Sequence, residues 1–216
     1  MDSWMINLTR NIWPFRLTQR DAFSQCTEDV LSEIAEKAGS LKKPDAIEEE
    51  SYLLWVMGRL MMLDKVAIPD PALFQVHPQG EGVRVCRKRA GSVEFCFLMF
   101  EPDGYIPYHD HSDCNGVMRV LGGEVTTRNY DLLEQTLEGM VLQPSAQAWM
   151  TEGRMASLSR HRDNVHQVTA GPEGAVVLDV FTLFSHDAGC RYMKVTASEQ
   201  WSGLAQGQLI NGEGGA

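Results

Sequence analysis

His109 and His111 stand one residue apart in the run Gly104-Tyr-Ile-Pro-Tyr-His-Asp-His-Ser-Asp-Cys-Asn-Gly116. On a β-strand, residues two apart project to the same face, so this pair can offer two imidazoles to one transition metal. A lone His-x-His pattern arises by chance in cores and on surfaces. Here it follows a Gly/Pro loop and precedes a strand and a Gly-Gly turn, a setting that favours ligation. A mononuclear centre needs further ligands, and His166, in the strand-like run Asn164-Val-His-Gln167, is the expected third. His161 falls in the charged run Arg160-His-Arg-Asp163 and reads as solvent-facing, while His77 and His186 sit in loop-like contexts and read as surface residues. The positions four and five after His111 are Asn115 and Gly116, so this strand supplies no carboxylate ligand. Three neutral imidazoles leave the whole dication charge at the metal, with open positions beside it. Such a centre favours anionic co-ligands and would hold a thiol as its thiolate. Imidazoles alone leave iron, zinc, copper and nickel open.

The elements that must carry these residues change character near residue 66. Residues 1–66 read as helical. Phe23, Val30, Leu31 and Ile34 recur at helical spacing, and Gly39 is a natural stop. Asp45 followed by Glu48 predicts a capping box for a second helix running to about Met62, with Ile47, Leu54, Met57, Leu60 and Met61 as its apolar stripe. That stripe is read as core packing in preference to a partner surface. From 67 to 202 the pattern is strands and turns. Residues 93–100 suit a buried strand. Gly122-Gly123 predicts a hairpin turn between strands at 117–121 and 124–130, and Gly171-Pro-Glu-Gly174 predicts another between 165–170 and 175–184. Short strands at this spacing suggest a β-sandwich or jelly-roll barrel, with the helices covering a barrel end. Residues 203–216, Gly-rich and polar, read as a flexible tail.

Composition narrows the function. A chain of 216 residues suits one compact domain with an appended segment. A net charge of -10 argues against a nucleic-acid partner. Four cationic residues between Arg84 and Arg89 read as a solvated strand or loop. Residues 1–20 are broken by Arg10, Pro14 and Arg16 and do not resemble a secretory signal. The most apolar stretch, 53–63, contains Arg59 and is too short to span a bilayer, so no membrane role is expected. Five cysteines without a CxxC pair fit a reducing, cytoplasmic setting.

The run Ile106-Pro-Tyr-His-Asp-His-Ser-Asp-Cys-Asn-Gly-Val-Met-Arg-Val-Leu-Gly-Gly123 resembles the cupin thiol dioxygenases, nearest the branch of cysteamine (2-aminoethanethiol) dioxygenase and the plant cysteine oxidases. Asn164-Val-His166 resembles that branch's third-ligand strand, and Ala175-Val-Val-Leu-Asp-Val180 the strand after it. The resemblance spans about residues 80–195. It implies a mainly β fold, a cupin (jelly-roll-like) barrel with an N-terminal helical segment, and non-haem Fe(II) on His109, His111 and His166. The implied reaction adds both atoms of O2 to the sulfur of a small amino thiol or an N-terminal cysteine, giving a sulfinic acid.

Details sort the branch. Free cysteine dioxygenases carry Ser-x-His-x-Tyr after the third ligand, where this chain has Val177, Asp179 and Phe181. Asp179 resembles the acidic residue of the amine-thiol branch, which implies contact with a substrate amine or with a ligand imidazole. The plainer alternative pairs it with an Arg such as Arg119. Cys190-Arg-Tyr192 resembles a Cys-x-Tyr element that forms a thioether in cysteamine dioxygenase; a buried Cys beside a Tyr is the alternative. Cys114 does not match the cross-linking Cys of cysteine dioxygenases, whose place is nearer Gly116. Arg84 lies about where those enzymes bind a substrate carboxylate, a role a guanidinium fork suits. The branch's Pro-Pro-Tyr turn is replaced by Thr182-Leu-Phe-Ser185, which alters one pocket wall. The expected function is therefore an Fe(II) thiol dioxygenase. A cupin lyase, isomerase or other dioxygenase on another metal, or a non-catalytic ligand-sensing cupin, are the alternatives.

Overall fold

A computed structural model describes residues 22–42, 44–136, 139–185, 188–196 and 203–210. His186 lies outside the described residues. Among the described residues, two α-helices, α1 (Ala22–Gly39) and α2 (Ala46–Met61), and a short 3-10 turn at Pro71–Leu73 precede nine strands. These are β1 (Gln75–Val76), β2 (Glu81–Ala90), β3 (Val93–Ser112), β4 (Cys114–Gln135), β5 (Met140–Thr151), β6 (Met155–Leu158), β7 (Val165–Leu183), β8 (Gly189–Thr196) and β9 (Ala205–Leu209). The order β3-β7-β4-β5-β9-β8 closes into a six-stranded antiparallel barrel because β8 also pairs with β3. β2 and β1 extend the sheet beyond β3, and β6 pairs with β4. This is the cupin architecture, mainly β with N-terminal helices, that the resemblance implies.

Strand parity sorts the core. Val83, Val85, Leu98, Met118, Val120, Val168 and Val177 pack together inside the barrel. The alternate residues Val93, Phe95, Phe97, Val117, Leu178 and Val180 face the helices and join Ile34, Tyr52, Leu53, Val56 and Leu60. The helices thus cover the outer face of β3, β7 and β4, where the sequence placed them over a barrel end.

Both glycine-rich turns need correction. β4 and β7 run on through Gly122-Gly123 and 171–174 as single strands with shifted register. Gly123 (φ +71°) pairs with Ala175, and a Cβ there would lie 2.1 Å from the Gly174 carbonyl oxygen. Gly174 (φ +75°) lies against the Phe100 carbonyl oxygen, 2.6 Å from where its Cβ would be. The irregularities of β3, β4 and β7 therefore align across the sheet and bend three long strands at one corner, as bulges and glycines do in barrels.

The capping box of α2 is present, with Asp45 accepting from Ile47 and Glu48 amides and Glu48 returning to the Asp45 amide. Its apolar stripe differs from the expectation. Ile47, Leu54 and Met61 are exposed, and the buried face is Glu49, Tyr52, Leu53, Val56 and Leu60. The buried carboxylate explains the misreading, because a charged residue marks the inward face. Glu49 is fully buried and accepts from the Arg160 amide (2.9 Å) and Nε (3.1 Å), while Glu50 takes the Arg162 fork at 2.8 and 2.7 Å. Removing one side of a buried pair leaves the other uncompensated, so Glu49→Ala is expected to cost about 3 kcal/mol in chemical denaturation. A loss below about 1 kcal/mol would show that this brace is not needed for stability.

Residues 205–209, expected in a flexible tail, form β9 between β5 and β8, with Ala205 buried against Leu142 and Met193. The small side chains permit this: the Gly207 Cα sits where a Cβ would meet Leu142 at 3.1 Å. Among the described residues no helix is long and apolar enough to cross a membrane.

Candidate metal centre

β3 brings His109 and His111 to the barrel interior, and β7 places His166 opposite His109 in register. All three are buried, at 5, 4 and 4% exposure, and their ligand atoms lie within 4.8 Å of one another. Among the described residues no Cys, Asp or Glu joins this group, in keeping with the missing carboxylate. Burial holds all three imidazoles below the ordinary histidine pKa, which keeps them in the neutral form that binds metal. His109 Nδ1 is 2.8 Å from the Pro107 carbonyl, so it donates there and its Nε2 is left as the electron-pair donor. His111 Nε2 and His166 Nδ1 are buried without hydrogen-bond partners among the described residues. An unpaired buried nitrogen is costly, and a cation held among the three rings would satisfy His111 Nε2, whose Nδ1 lies against Cys190 Sγ. The residues therefore fit a metal.

The centre is supported by Asn164, Asp110 and Phe181, whose sequence context carries no sign of that role. Asn164 Oδ1 accepts from the His111 amide at 3.0 Å and its Nδ2 donates to the His111 carbonyl at 3.2 Å. Asn164 lies two residues before His166, so one side chain ties the two ligand strands together. The adjoining run 160–163 is held by Glu49 and Glu50 of α2, which links the helices to the centre. Asp110 points away from the imidazoles and accepts from Arg191 Nε (3.0 Å) on β8, closing the barrel at the ligand strand. Phe181 stacks on His111 at 4.4 Å between centroids. A Cβ on Gly116 would come within 2.6 Å of that ring, so the position nearest the cysteine dioxygenase cross-link is filled here by an aromatic wall.

An open cavity of about 110 Å³ adjoins the imidazoles and is lined by Asp179, Cys190 and Tyr192 among others. Asp179 is buried, its Oδ1 has no hydrogen-bond partner among the described residues, and burial pushes its carboxyl up to about 7. It does not pair with Arg119, whose guanidinium donates to the Leu60 and Leu63 carbonyls at the end of α2. Cys190 Sγ lies 3.3 Å from His111 Nδ1, and Tyr192 lies 5.5 Å from His109 between ring centroids. Cys190 and Tyr192 share the inward face of β8.

Two expectations are corrected. Arg84 does not line the cavity; it donates to the Phe74 carbonyl at 2.8 Å. Strand alternation turns Arg84 toward the opposite face of β2 and sends Arg87 and Arg89 to the cavity with Val85. His77 is a buried wall of the cavity and not a surface residue, its Nδ1 accepting from the Gly80 amide at 2.8 Å. Burial, with the Arg87 charge second, pushes its pKa down to about 4. His161 is half exposed, 3.7 Å from Glu49 and away from the centre.

A family model, PCO_ADO, matches residues 85–208. Among solved structures, the chain is similar to the coconut allergen cocosin (15% identity, TM-score 0.46), covering 58% of this chain and 32% of that one. The chain thus spans about a third of that protein's length. It is also similar to KdgF from Halomonas sp. (14% identity, TM-score 0.40, covering 53% of this chain and 88% of that one). An RmlC-like cupin from Shewanella frigidimarina is similar at 16% identity and TM-score 0.40, covering 56% of this chain and 92% of that one. No curated protein matches the chain.

Proposed function

The chain belongs to the PCO_ADO family, that of the cysteamine and plant cysteine oxidases, and from that premise we propose that it is a non-haem Fe(II) thiol dioxygenase. Its substrate is a small amino thiol or an N-terminal cysteine, and its product the sulfinic acid. The observation that carries this reading is the set of three buried, neutral imidazoles, His109, His111 and His166, with orphaned nitrogens beside an open cavity and no carboxylate among them.

Iron, when bound, supplies the redox chemistry that joins O2 to sulfur. The protein's part is to hold the imidazoles neutral, orient the thiol and exclude competing groups. The uncompensated charge of an all-imidazole centre attracts a thiolate more strongly than a centre carrying a carboxylate would. Asp179, with an unpaired oxygen on the cavity wall, receives the substrate ammonium. Phe181 and Leu183 form an apolar wall, Leu183 belonging to the run Thr182-Leu-Phe-Ser185 that stands where the branch has Pro-Pro-Tyr. Tyr192 and Cys190 stand beside His109 and His111, and the thioether between them that the resemblance implies is carried as part of this proposal.

The test is anaerobic loading with Fe(II), followed by O2-uptake and product mass with cysteamine, cysteine, 3-mercaptopropionate and an N-terminal-Cys peptide. Sulfinate should form with at least one of them, in step with O2 consumed. Stoichiometric iron with no sulfinate from any thiol would overturn the reading. Retention of zinc or nickel that iron cannot displace would favour a cupin enzyme of another reaction type.

A further inference from the structure

Only part of the apolar stripe of α2 reaches the core. Leu60 and Met57 pack inward, whereas Ile47, Leu54 and Met61 keep 78, 68 and 68% of their surface exposed. Past Glu48, the exposed residues of α2 are Ser51, Leu54, Gly58 and Met61, and none of them carries a charge. The outer face of a surface helix is ordinarily its charged face. A single exposed leucine is commonplace, but an aligned apolar row marks a contact surface. This row has a definite repeat. Ile47, Ser51, Leu54, Gly58 and Met61 stand alternately four and three residues apart, the seam of a coiled coil over two heptads. Large side chains at 47, 54 and 61 alternate with small residues at 51 and 58, so a second helix of the same sequence offers recesses for the knobs of the first. Among the described residues nothing covers this face.

We propose that this seam pairs α2 with the α2 of a second copy of the chain, antiparallel and about a two-fold axis beside Leu54. A two-fold interface must be complementary to itself. Antiparallel pairing centred on Leu54 meets that demand, setting Ile47 of one copy against Met61 of the other and Ser51 against Gly58. Charge fixes the direction. The first turn of the helix and its cap carry Glu48 and Asp45, while the far end carries Lys65 and Arg59, the latter paired with Glu33 of α1. Asp64, at that same end, acts on Arg119. A parallel pair would bring the two acidic turns together. The antiparallel pair brings each acidic turn to the basic end of the other helix and opposes the helix dipoles. Glu49 and Glu50 hold the run 160–163 from the same helix, so pairing on the outer face leaves that brace of the metal centre in place. The inference does not depend on which reaction the cavity performs.

Sedimentation equilibrium of the full chain should show monomer and dimer exchanging with a Kd between about 1 and 100 μM, the range of a small interface. Leu54→Glu sets like charges face to face at the axis and should raise Kd by about 100-fold or more, with the fold intact by circular dichroism. Leu133→Glu, at an exposed leucine of β4, should leave Kd unchanged. Glu48→Lys should weaken the dimer, and adding Lys65→Glu should restore it. Direction is read by cross-linking under mild oxidation. Leu54→Cys should give a disulfide-linked dimer, whereas Ile47→Cys should do so only together with Met61→Cys, because those positions lie about 21 Å apart along one helix. A full chain that stays monomeric to about 500 μM would overturn the proposal, as would a dimer that Leu54→Glu leaves intact. A dimer that forms only after residues 1–20 are deleted would assign the seam to that segment of the same chain and overturn the pairing of copies.

Discussion

Replacing His166 with Ala is expected to abolish metal retention, while His161→Ala keeps wild-type stoichiometry after dialysis and elemental analysis. The two histidines are five residues apart, and their surroundings decide the difference. His166 is 4% exposed, and its ring lies 4.3 Å from that of His109 and 5.1 Å from that of His111 between centroids. His161 is half exposed and 3.7 Å from Glu49. Loss of groups that merely orient a ligand costs about 10- to 100-fold in metal affinity, so loss of a ligand should exceed about 100-fold. His166→Gln, which keeps most of the side-chain volume, separates ligation from packing: it should stay folded by circular dichroism and still lose the metal. Full metal content in His166→Gln, with loss in His161→Ala, would reverse the ligand assignment.

The second large effect is at Asp179, where stability and activity should move in opposite directions. Burial pushes this carboxyl up to about 7, whereas in the unfolded chain it titrates near its ordinary value of 3.8. Between those two pH values the unfolded chain releases the proton and the folded chain keeps it. Stability of the metal-free protein therefore falls as pH rises through this window, by about 1.4 kcal/mol per unit and about 4 kcal/mol in all. Above the folded value both states are ionised and the deficit stays constant. Asp179→Asn removes the deficit. The metal-free variant should match wild type near pH 4 and exceed it by up to about 4 kcal/mol at pH 8 in urea titrations. Turnover of amine-bearing thiols should fall about 100-fold, since an amide cannot offer the ammonium a negative charge. A wild-type stability that does not decline between pH 4 and 7 relative to Asp179→Asn would show that the carboxyl is solvated or paired in solution.

Legibility followed range along the chain. The capping box at Asp45 and Glu48 and the stop at Gly39 depend on neighbours a few residues away, and the structure carries both. The His109 and His111 pair depends on strand alternation, which is equally local. Of the α2 stripe, Leu60 and Met57 pack into the core, but Ile47, Leu54 and Met61 are exposed because Glu49 is inward. Its partner, Arg160, lies 111 residues further on, and nothing near Glu49 announces it. The glycine pairs failed for a related reason. A glycine that ends a strand and one that bends it carry the same local signal, and only the carbonyls of Gly174 and Phe100 across the sheet require the bend. β9 was hidden in the same way, since its small residues matter only against Leu142 and Met193.

At the centre, then, the sequence by itself determined the ligand chemistry: which strand offers paired imidazoles, that no carboxylate follows them, and that His166 sits on a later strand. Alternation and residue type suffice for that, because each is a property of a few consecutive residues. Tertiary structure decided which polar groups share the cavity. It turned Arg84 away and Arg87 inward, buried His77, left Asp179 without Arg119, and tied His111 to the His166 strand through Asn164. The physical reason is that a side chain's direction is set by strand parity, and parity by register. In this barrel the register is adjusted by bulges whose presence depends on strands far apart in the chain.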